Sequence, residues 1–420
     1  IIGVYGMELE EKMEKQQSIS ANKRKTISFY KYRAVFRENG DQTNFSNIVK
    51  FLMPHLDNNN YKVNIVSFNN FKNSIETNRK YIPQNEHLNG VYFLSFKRIF
   101  PRKKNIYQAL EMFINIIRFL YSINKYRPDI VYVYGDTPLF IASLAKLFSS
   151  YKIVYDKRGD YIDELEKLGA SKRKLGWLKK ILAYSERKIE FTYVVSDTYK
   201  KDQNNSTIIP KYNYFDKNIF YYSEKEMLAK RAMLNLSNKF VFVYTGSSYH
   251  YQMVEETVLF FSKFNKVFKD SFFIVLTESD HNDFIKYFKK YNVSEGSYSV
   301  SSMTQKELCS IQMIADLAFL FRADLPLNRN SFPTKFAESL ANGIPVLTTE
   351  FIETIVPMIK NNGLGEIIDL SIDDTDIIYE IHKKYLSNLE VKQKCADYSN
   401  IHLQWQKKSF DHFKQIDAII

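Results

Sequence analysis

A chain of 420 residues with 45 % hydrophobic and 25 % charged residues has room for two or three domains and the balance of an ordinary globular protein. Its two cysteines, Cys309 and Cys395, stand far apart and match no metal-ligand spacing, which speaks against a disulfide framework and for a reducing compartment. The net charge of +12 favours anionic partners, yet Lys, Asn, Ile, Tyr and Phe are abundant throughout, so charge alone selects no function.

Residues 1–24 are polar and open without a methionine; we expect an upstream extension or disordered lead-in and leave them out of the fold. No secretory pattern is present there. The first strand is expected in "KTISFYKY", followed by the loop "RENGDQTNFSN" and a helix through Leu56. "YKVNIVSF" and "GVYFLSF" read as two more strands, and a helix is expected from about Ile106 to Lys125. Its segment "ALEMFINIIRFLYSI" carries Glu111, Asn115 and Arg118, which argues against a membrane-spanning helix. "RPDIVYVYGDTP" is a strand, after which Thr137 and Pro138 are expected as N-cap and first residue of a helix ending near Phe148. "YKIVYDKRGDY" is a strand running into a polar loop. A basic helical region follows, and "TYVVS" and "TIIPKY" supply the last strands of this half.

"NYFDKNIFYYSEKE" is expected to link two halves. The second half repeats the cycle: "KFVFVYTGSS" as a strand with a glycine loop, a helix, "SFFIVLTES" as a strand, and a helix ending near Tyr291. "TQKE", Thr304 to Glu307, reads as a capping box opening a helix to Ala315. "DLAFLFR" reads as a buried strand, and the last 35 or so residues as mostly helix. Apolar strands alternating with helices, twice over, predict an α/β protein with two Rossmann-like, doubly wound parallel sheets. In such sheets ligands bind beyond the carboxyl ends of the strands, where the loops at Gly40, Arg158, Gly246, Thr277, Arg322 and Lys335 fall.

One stretch carries the chemistry. In "NSFPTKFAESLANGIPVLTTE", Pro333 fits a helix start and Gly343 its stop. Lys335, Glu338, Ser339 and Asn342 share one face, expected to point to solvent when no ligand is bound; Phe336, Ala337, Leu340 and Ala341 share the other. A lysine in the first turn opposes the helix dipole. Two readings stand side by side: a phosphate clamped by Lys335 and the free amides, with Glu338 on neighbouring sugar hydroxyls, or a plain Lys–Glu pair at i,i+3.

From about residue 25 to 420 the chain resembles the GT-B glycosyltransferases of group 1, or family 4, of the surface or capsular polysaccharide type. The resemblance rests on "PDIVYVYGD", "IVYDKRGDY", "YVVSDTYKK", "STIIPKYNYFD", "VFVYTGSS", "ELCSIQMIADLAFLFR", "PTKFAESLANGIPVL" and "NNGLGEIIDL" in that order. It implies two Rossmann-like domains facing a cleft, divided as 25–215 on the acceptor side and 216–400 for the nucleotide-sugar, with 401–420 as a helix packing back toward the N-terminal domain. It implies sugar transfer from a nucleotide-diphosphate donor to a glycan or lipid-linked glycan, retaining and without cofactor or metal. A nucleotide-sugar 2-epimerase on the same fold and a catalytically inactive GT-B subunit are the alternatives; a basic nucleic-acid binder is the weaker rival.

The residues implied for donor binding are Gly246, Ser247, Thr277, Val300, Arg322, Asn330, Pro333, Thr334, Lys335 and Glu338. Glu338 matches the second Glu of the family's Glu-x7-Glu motif and would hold the ribose, while Asn330 replaces the first. The family often has Arg and Lys after the first C-terminal strand; "TGSSYHYQ" has neither, so Lys335 and Arg322 would carry that charge. "DKRGDY" matches a "DxRG" variant, which implies catalytic roles for Arg158 and Asp160 beside Lys335. Gly40 and Asp41 would lie on the acceptor side. "DDTDII", Asp373 to Ile378, contains an Asp-x-Asp, but capping of the following helix accounts for it, and no metal is expected. Finally, "SKRKLGWLKKIL" sets Lys172, Arg173, Lys174, Lys179 and Lys180 around Trp177 and Leu178, a pattern suited to an anionic membrane surface or to a solvated helix face. The expected location is cytoplasmic, peripheral at the inner face of the membrane.

Overall fold

The structure, a computed structural model, describes residues 24–31, 40–67, 92–95, 105–159, 162, 165–166, 169–196, 207–371 and 375–420. Residues 1–24, apart from Arg24, therefore lie outside the described residues, as do Asp160, Asp373 and Asp374. By packing, the chain forms two compact units: residues 1–156, 181–191 and 412–420, and residues 157–180 and 192–411.

The strands are β1 (Thr26–Lys31), β2 (Lys62–Ser67), β3 (Tyr92–Ser95), β4 (Ile130–Tyr134), β5 (Lys152–Lys157), β6 (Phe191–Val194) and β7 (Thr207–Pro210), then β8 (Phe240–Thr245), β9 (Ser271–Leu276), β10 (Tyr298–Ser301), β11 (Leu317–Leu320), β12 (Val346–Thr348) and β13 (Gly365–Ile367). They form a seven-stranded sheet in the order β3-β2-β1-β4-β5-β6-β7 and a six-stranded sheet in the order β10-β9-β8-β11-β12-β13. Both orders start in the middle and wind outward in two directions, as expected of doubly wound parallel sheets.

The reason lies in the strand sequences. In the second sheet Val241, Val243, Ile274, Leu276, Ala318, Leu320 and Val346 enter one buried cluster. Their alternates Phe240, Phe242, Tyr244, Phe273, Val275, Phe319 and Leu347 enter another. Side chains of a strand alternate between faces, so continuous apolar runs force helices onto both. Phe242 and Phe319, on the neighbouring strands β8 and β11, stack 4.7 Å apart at 11°. In the first unit Asp417 ties the amino ends of β1 and β2: it accepts from Lys25 Nζ at 2.7 Å and from the Tyr61 hydroxyl at 2.6 Å.

Several boundaries differ from expectation. The helix after β4 is Asp136–Ala145, with Gly135 (φ 85°) as its N-cap, so Thr137 and Pro138 lie within its first turn. Gly40 stands at the start of the helix Gly40–Asn58, not in an open loop. The helix opened by Thr304 runs Gln305–Gln312 and stops short of Ala315; Glu307 accepts from the Thr304 amide at 3.0 Å and from its hydroxyl at 2.7 Å. β10 was not legible in "YSVS", which is only half buried at the sheet edge and has no apolar run.

Candidate functional site

The helix Thr334–Ala341 follows Pro333, which takes the N-cap position rather than the first helical residue. Gly343 stops it at φ 70°, and a Cβ there would lie 2.7 Å from the Tyr222 ring, so glycine is required twice over. The polar face is not solvent-directed. Glu338, Ser339 and Asn342 are all buried, and the Glu338 side chain is only 5 % exposed. Lys335, the second residue of the helix, reaches forward one turn to Glu338 at 2.9 Å with 34 % of its side chain exposed. The i,i+3 pair is therefore formed, and the lysine answers a buried carboxylate that solvent cannot. The helix's far end is tied by Asn342, which donates to Gln312 Oε1 at 2.8 Å and accepts from the Cys309 thiol at 3.1 Å.

A second group of sequence-identified residues gathers at the carboxyl ends of β8, β9, β10 and β11. Gly246 follows β8 at φ 153°, and a Cβ there would meet the Tyr244 hydroxyl and Gln252 Oε1, each at 3.3 Å. The Tyr244 hydroxyl donates to the Ser247 carbonyl at 2.7 Å, and Gln252 Nε2 donates to Ser247 Oγ at 3.1 Å. Ser248 N–H donates to Ser279 Oγ at 3.0 Å, which joins this loop to the one after β9. There Thr277 is buried, with its amide on the Ser301 carbonyl at 2.9 Å, while Val300 pairs with Val275 in the ladder. The Tyr251 carbonyl accepts from Ala323 N–H at 3.1 Å, which binds the Gly246 loop to the loop after β11.

Arg322 sits in that last loop and is 7 % exposed. Thr349 holds its backbone on both sides, at 3.2 and 2.8 Å. Its guanidinium makes one hydrogen bond among the described residues, Nη1 to the Phe321 carbonyl at 2.7 Å. Among the described residues it forms no ion pair. Burial pushes its pKa down, opposed by the nearby Tyr244 and Tyr251. Burial pushes the pKa of the Tyr244 hydroxyl up, with Arg322 pulling the other way. A desolvated cation without a carboxylate is a costly arrangement for a protein to keep.

Arg158, just beyond β5, donates from Nη2 to Asn213 Oδ1 at 2.8 Å. Asn213 Nδ2 donates in turn to the Phe332 carbonyl at 2.5 Å, immediately before Pro333 and the helix of Lys335. Asn330 caps the carboxyl end of the short helix Pro326–Arg329. Gly40 and Asp41 begin their helix in the other unit. Of the basic helix Lys172–Glu186, Lys172, Arg173, Lys174, Lys179 and Lys180 are exposed and Trp177 is 63 % exposed, but Leu178 is buried and unavailable for insertion. No described helix is long and apolar enough to cross a membrane. Tyr244, Gln252, Thr349 and Asn213 were not singled out in the sequence; only "STIIPKYNYFD" pointed toward Asn213.

No protein-family model matches the sequence, and no curated protein is similar to it. Solved structures are similar in fold. A sucrose-phosphate synthase from Thermosynechococcus elongatus superposes with a TM-score of 0.70 at 12 % identity, over 94 % of this chain and 100 % of that one. Anabaena HepE in complex with UDP and glucose gives 0.66 at 12 %, over 93 % and 99 %. A putative UDP-N-acetylglucosamine 2-epimerase from Listeria monocytogenes gives 0.61 at 11 %, over 94 % and 96 %. The fold is thus GT-B: α/β, with two Rossmann-like, doubly wound domains.

Proposed function

We propose that the chain is a glycosyltransferase that moves a sugar from a nucleotide-diphosphate donor to a glycan or lipid-linked glycan of a surface polysaccharide. The observation that carries this reading is Arg322, a buried guanidinium at the carboxyl ends of the second sheet's strands that has no carboxylate partner among the described residues. A diphosphate would supply the missing counter-charge. Ser247 and Gln252 occupy the Gly246 loop where the resembled family often has a basic pair, so Arg322 and Lys335 would take over its task. HepE, of the same fold, binds UDP and UDP-glucose, which supports a nucleotide-sugar here.

In this reading the Ser247 amide, with Arg322 and Lys335, would neutralise the leaving diphosphate, while the amides of Gly246 and Ser248 stay on the Leu276 carbonyl and Ser279 Oγ. Charge grows there in the transition state, so preorganised donors lower the barrier. Glu338 would hold the ribose, Thr277 and Val300 would flank the base, and Arg158 with Asp160 would face the acceptor side. We propose retention without a metal: the leaving phosphate takes the acceptor's proton on the same face, and no protein nucleophile is assigned. The enzyme would work in the cytoplasm, held at the inner membrane face by Lys172, Arg173, Lys174, Trp177, Lys179 and Lys180. The epimerase reading stays as the second one, because a putative 2-epimerase shares the fold.

The test is a thermal-shift panel of UDP, GDP, their sugars and other nucleotide-sugars on wild type and Arg322→Met. A ligand raises apparent stability by mass action. We expect one nucleotide diphosphate to stabilise the wild type and not the variant. Equal shifts in both would remove Arg322 from the site. Donor converted to an epimer with no acceptor present would favour the second reading.

A further inference from the structure

We infer that Asn213 is a positioning residue for the proposed glycosyl transfer, setting Arg158 against the helix that carries Lys335 and Glu338; the inference rests on that reading. Asn213 lies between β7 and the helix Glu224–Met233. Its side chain faces two ways at once: Oδ1 accepts from Arg158 Nη2 at 2.8 Å, and Nδ2 donates to the Phe332 carbonyl at 2.5 Å. Only a primary amide offers an acceptor and a donor on one short, flat group. Aspartate would accept from Arg158 but turn a lone pair on the carbonyl, and leucine would do neither.

The carbonyl end of this bridge is firmly seated. Phe332 is buried; Tyr212, beside Asn213, stacks on it at 4.8 Å and 21°, and Phe336 of the Lys335 helix meets it edge-on at 5.8 Å. Residue 332 immediately precedes the N-cap Pro333, so a shift of its carbonyl moves the start of the helix. Arg158 lies just beyond β5, and the Asn213 amide ties its guanidinium to the seated carbonyl. Asn213 thus couples a packed aromatic cluster to the Arg158 guanidinium, and small misplacements of a reacting group can cost about 100-fold in rate.

The test uses the full chain, with nucleoside-diphosphate release from UDP-glucose, UDP-N-acetylglucosamine and GDP-mannose measured with water as acceptor. For the donor that is turned over, Asn213→Leu should lower kcat ~10-fold or more and leave KM within about 2-fold. Asn213→Gln, which keeps both groups on a longer arm, should recover part of the loss. Because Asn213 acts through Arg158, the double variant R158A/N213L should be no slower than R158A. Wild-type kcat in N213L, or losses that multiply in the double variant, would overturn the positioning role alone. A fall in melting temperature with kcat and KM changed together and no recovery by glutamine would make Asn213 merely structural. A wild type that releases no nucleoside diphosphate from any donor, and shows no thermal shift with UDP or GDP, would instead overturn the glycosyl-transfer reading.

Discussion

Replacing Lys335 by glutamine separates the two tasks its position suggests. In the empty protein Lys335 Nζ lies 2.9 Å from a Glu338 carboxylate whose side chain is 5 % exposed. A hydrogen bond to a charged group contributes roughly 1.5–3 kcal/mol. Against it stands the repulsion between the ammonium and the positive helix end, about 0.3–1 kcal/mol, which the substitution relieves. The lysine's partial exposure weakens the pair, so the net loss should be about 1–2 kcal/mol. For a unit of 150–250 residues that is a fall in Tm of about 2–8 °C. This reverses the sign expected of a solvent-directed face, where losing the lysine would leave the empty protein unchanged or slightly more stable. Glu338→Gln added to Lys335→Gln should restore stability, because it removes the charge left stranded. With nucleotide diphosphate present a second loss should appear, ~1.5–3 kcal/mol of binding, as a charge-assisted contact to phosphate disappears. The assay is calorimetric melting of the four proteins of the cycle, with and without UDP or GDP. Undiminished stability of empty K335Q would refute the buried-pair argument. A destabilised K335Q with a full nucleotide shift would confine the lysine to a structural role and refute the phosphate reading.

Donor turnover should persist in excess EDTA; loss on chelation, restored by Mn2+ or Mg2+, would reinstate the aspartates of "DDTDII". Binding to anionic vesicles should fall as salt rises, and Gln at Lys172, Arg173, Lys174, Lys179 and Lys180 should weaken it more than Gln at five scattered lysines, each near-surface charge being worth about 1 kcal/mol; equal binding to neutral vesicles would count against the idea. Gly343→Ala should cost about 2–4 kcal/mol, from a left-handed alanine and a Cβ driven into Tyr222 and the Lys392 carbonyl, and a denaturant midpoint equal to wild type would show that the turn relaxes freely. Lys392 is buried, and burial lowers its pKa from 10.5 to about 8, against the pull of Asp316. The unfolded chain therefore holds more protons than the folded one between pH 8 and 10.5, so stability rises with pH across that window. Wild type should gain on Lys392→Met from pH 8 to 10, the Arg231–Asp316 pair remaining in both; parallel curves would mean the lysine stays charged when folded.

The two doubly wound sheets were written locally. β8 reads "FVFVYT" and β4 reads "IVYVY", runs with no polar face, and a strand apolar on both sides must be covered on both. Turn chemistry was local too: Gly343 at a positive φ and Glu307 on Thr304 are dictated by neighbours within four residues. So was the gathering of Gly246, Thr277, Val300 and Arg322, since parallel winding brings alternate loops to one end of a sheet. What the tertiary structure alone decided is the state of the charges. Helical periodicity placed Glu338 on a polar face, but burial depends on what packs across it, and that side chain proved to be only 5 % exposed, with Lys335 as its partner. Arg322 reads like any loop arginine, and its lack of a carboxylate among the described residues is a property of everything around it. Asn213 and Phe332 lie 119 positions apart, and no pattern of spacing says that one amide will hold both Arg158 and that carbonyl. Periodicity fixes which way a side chain points along its own element; solvation and pairing are set by distant chain that folding brings alongside.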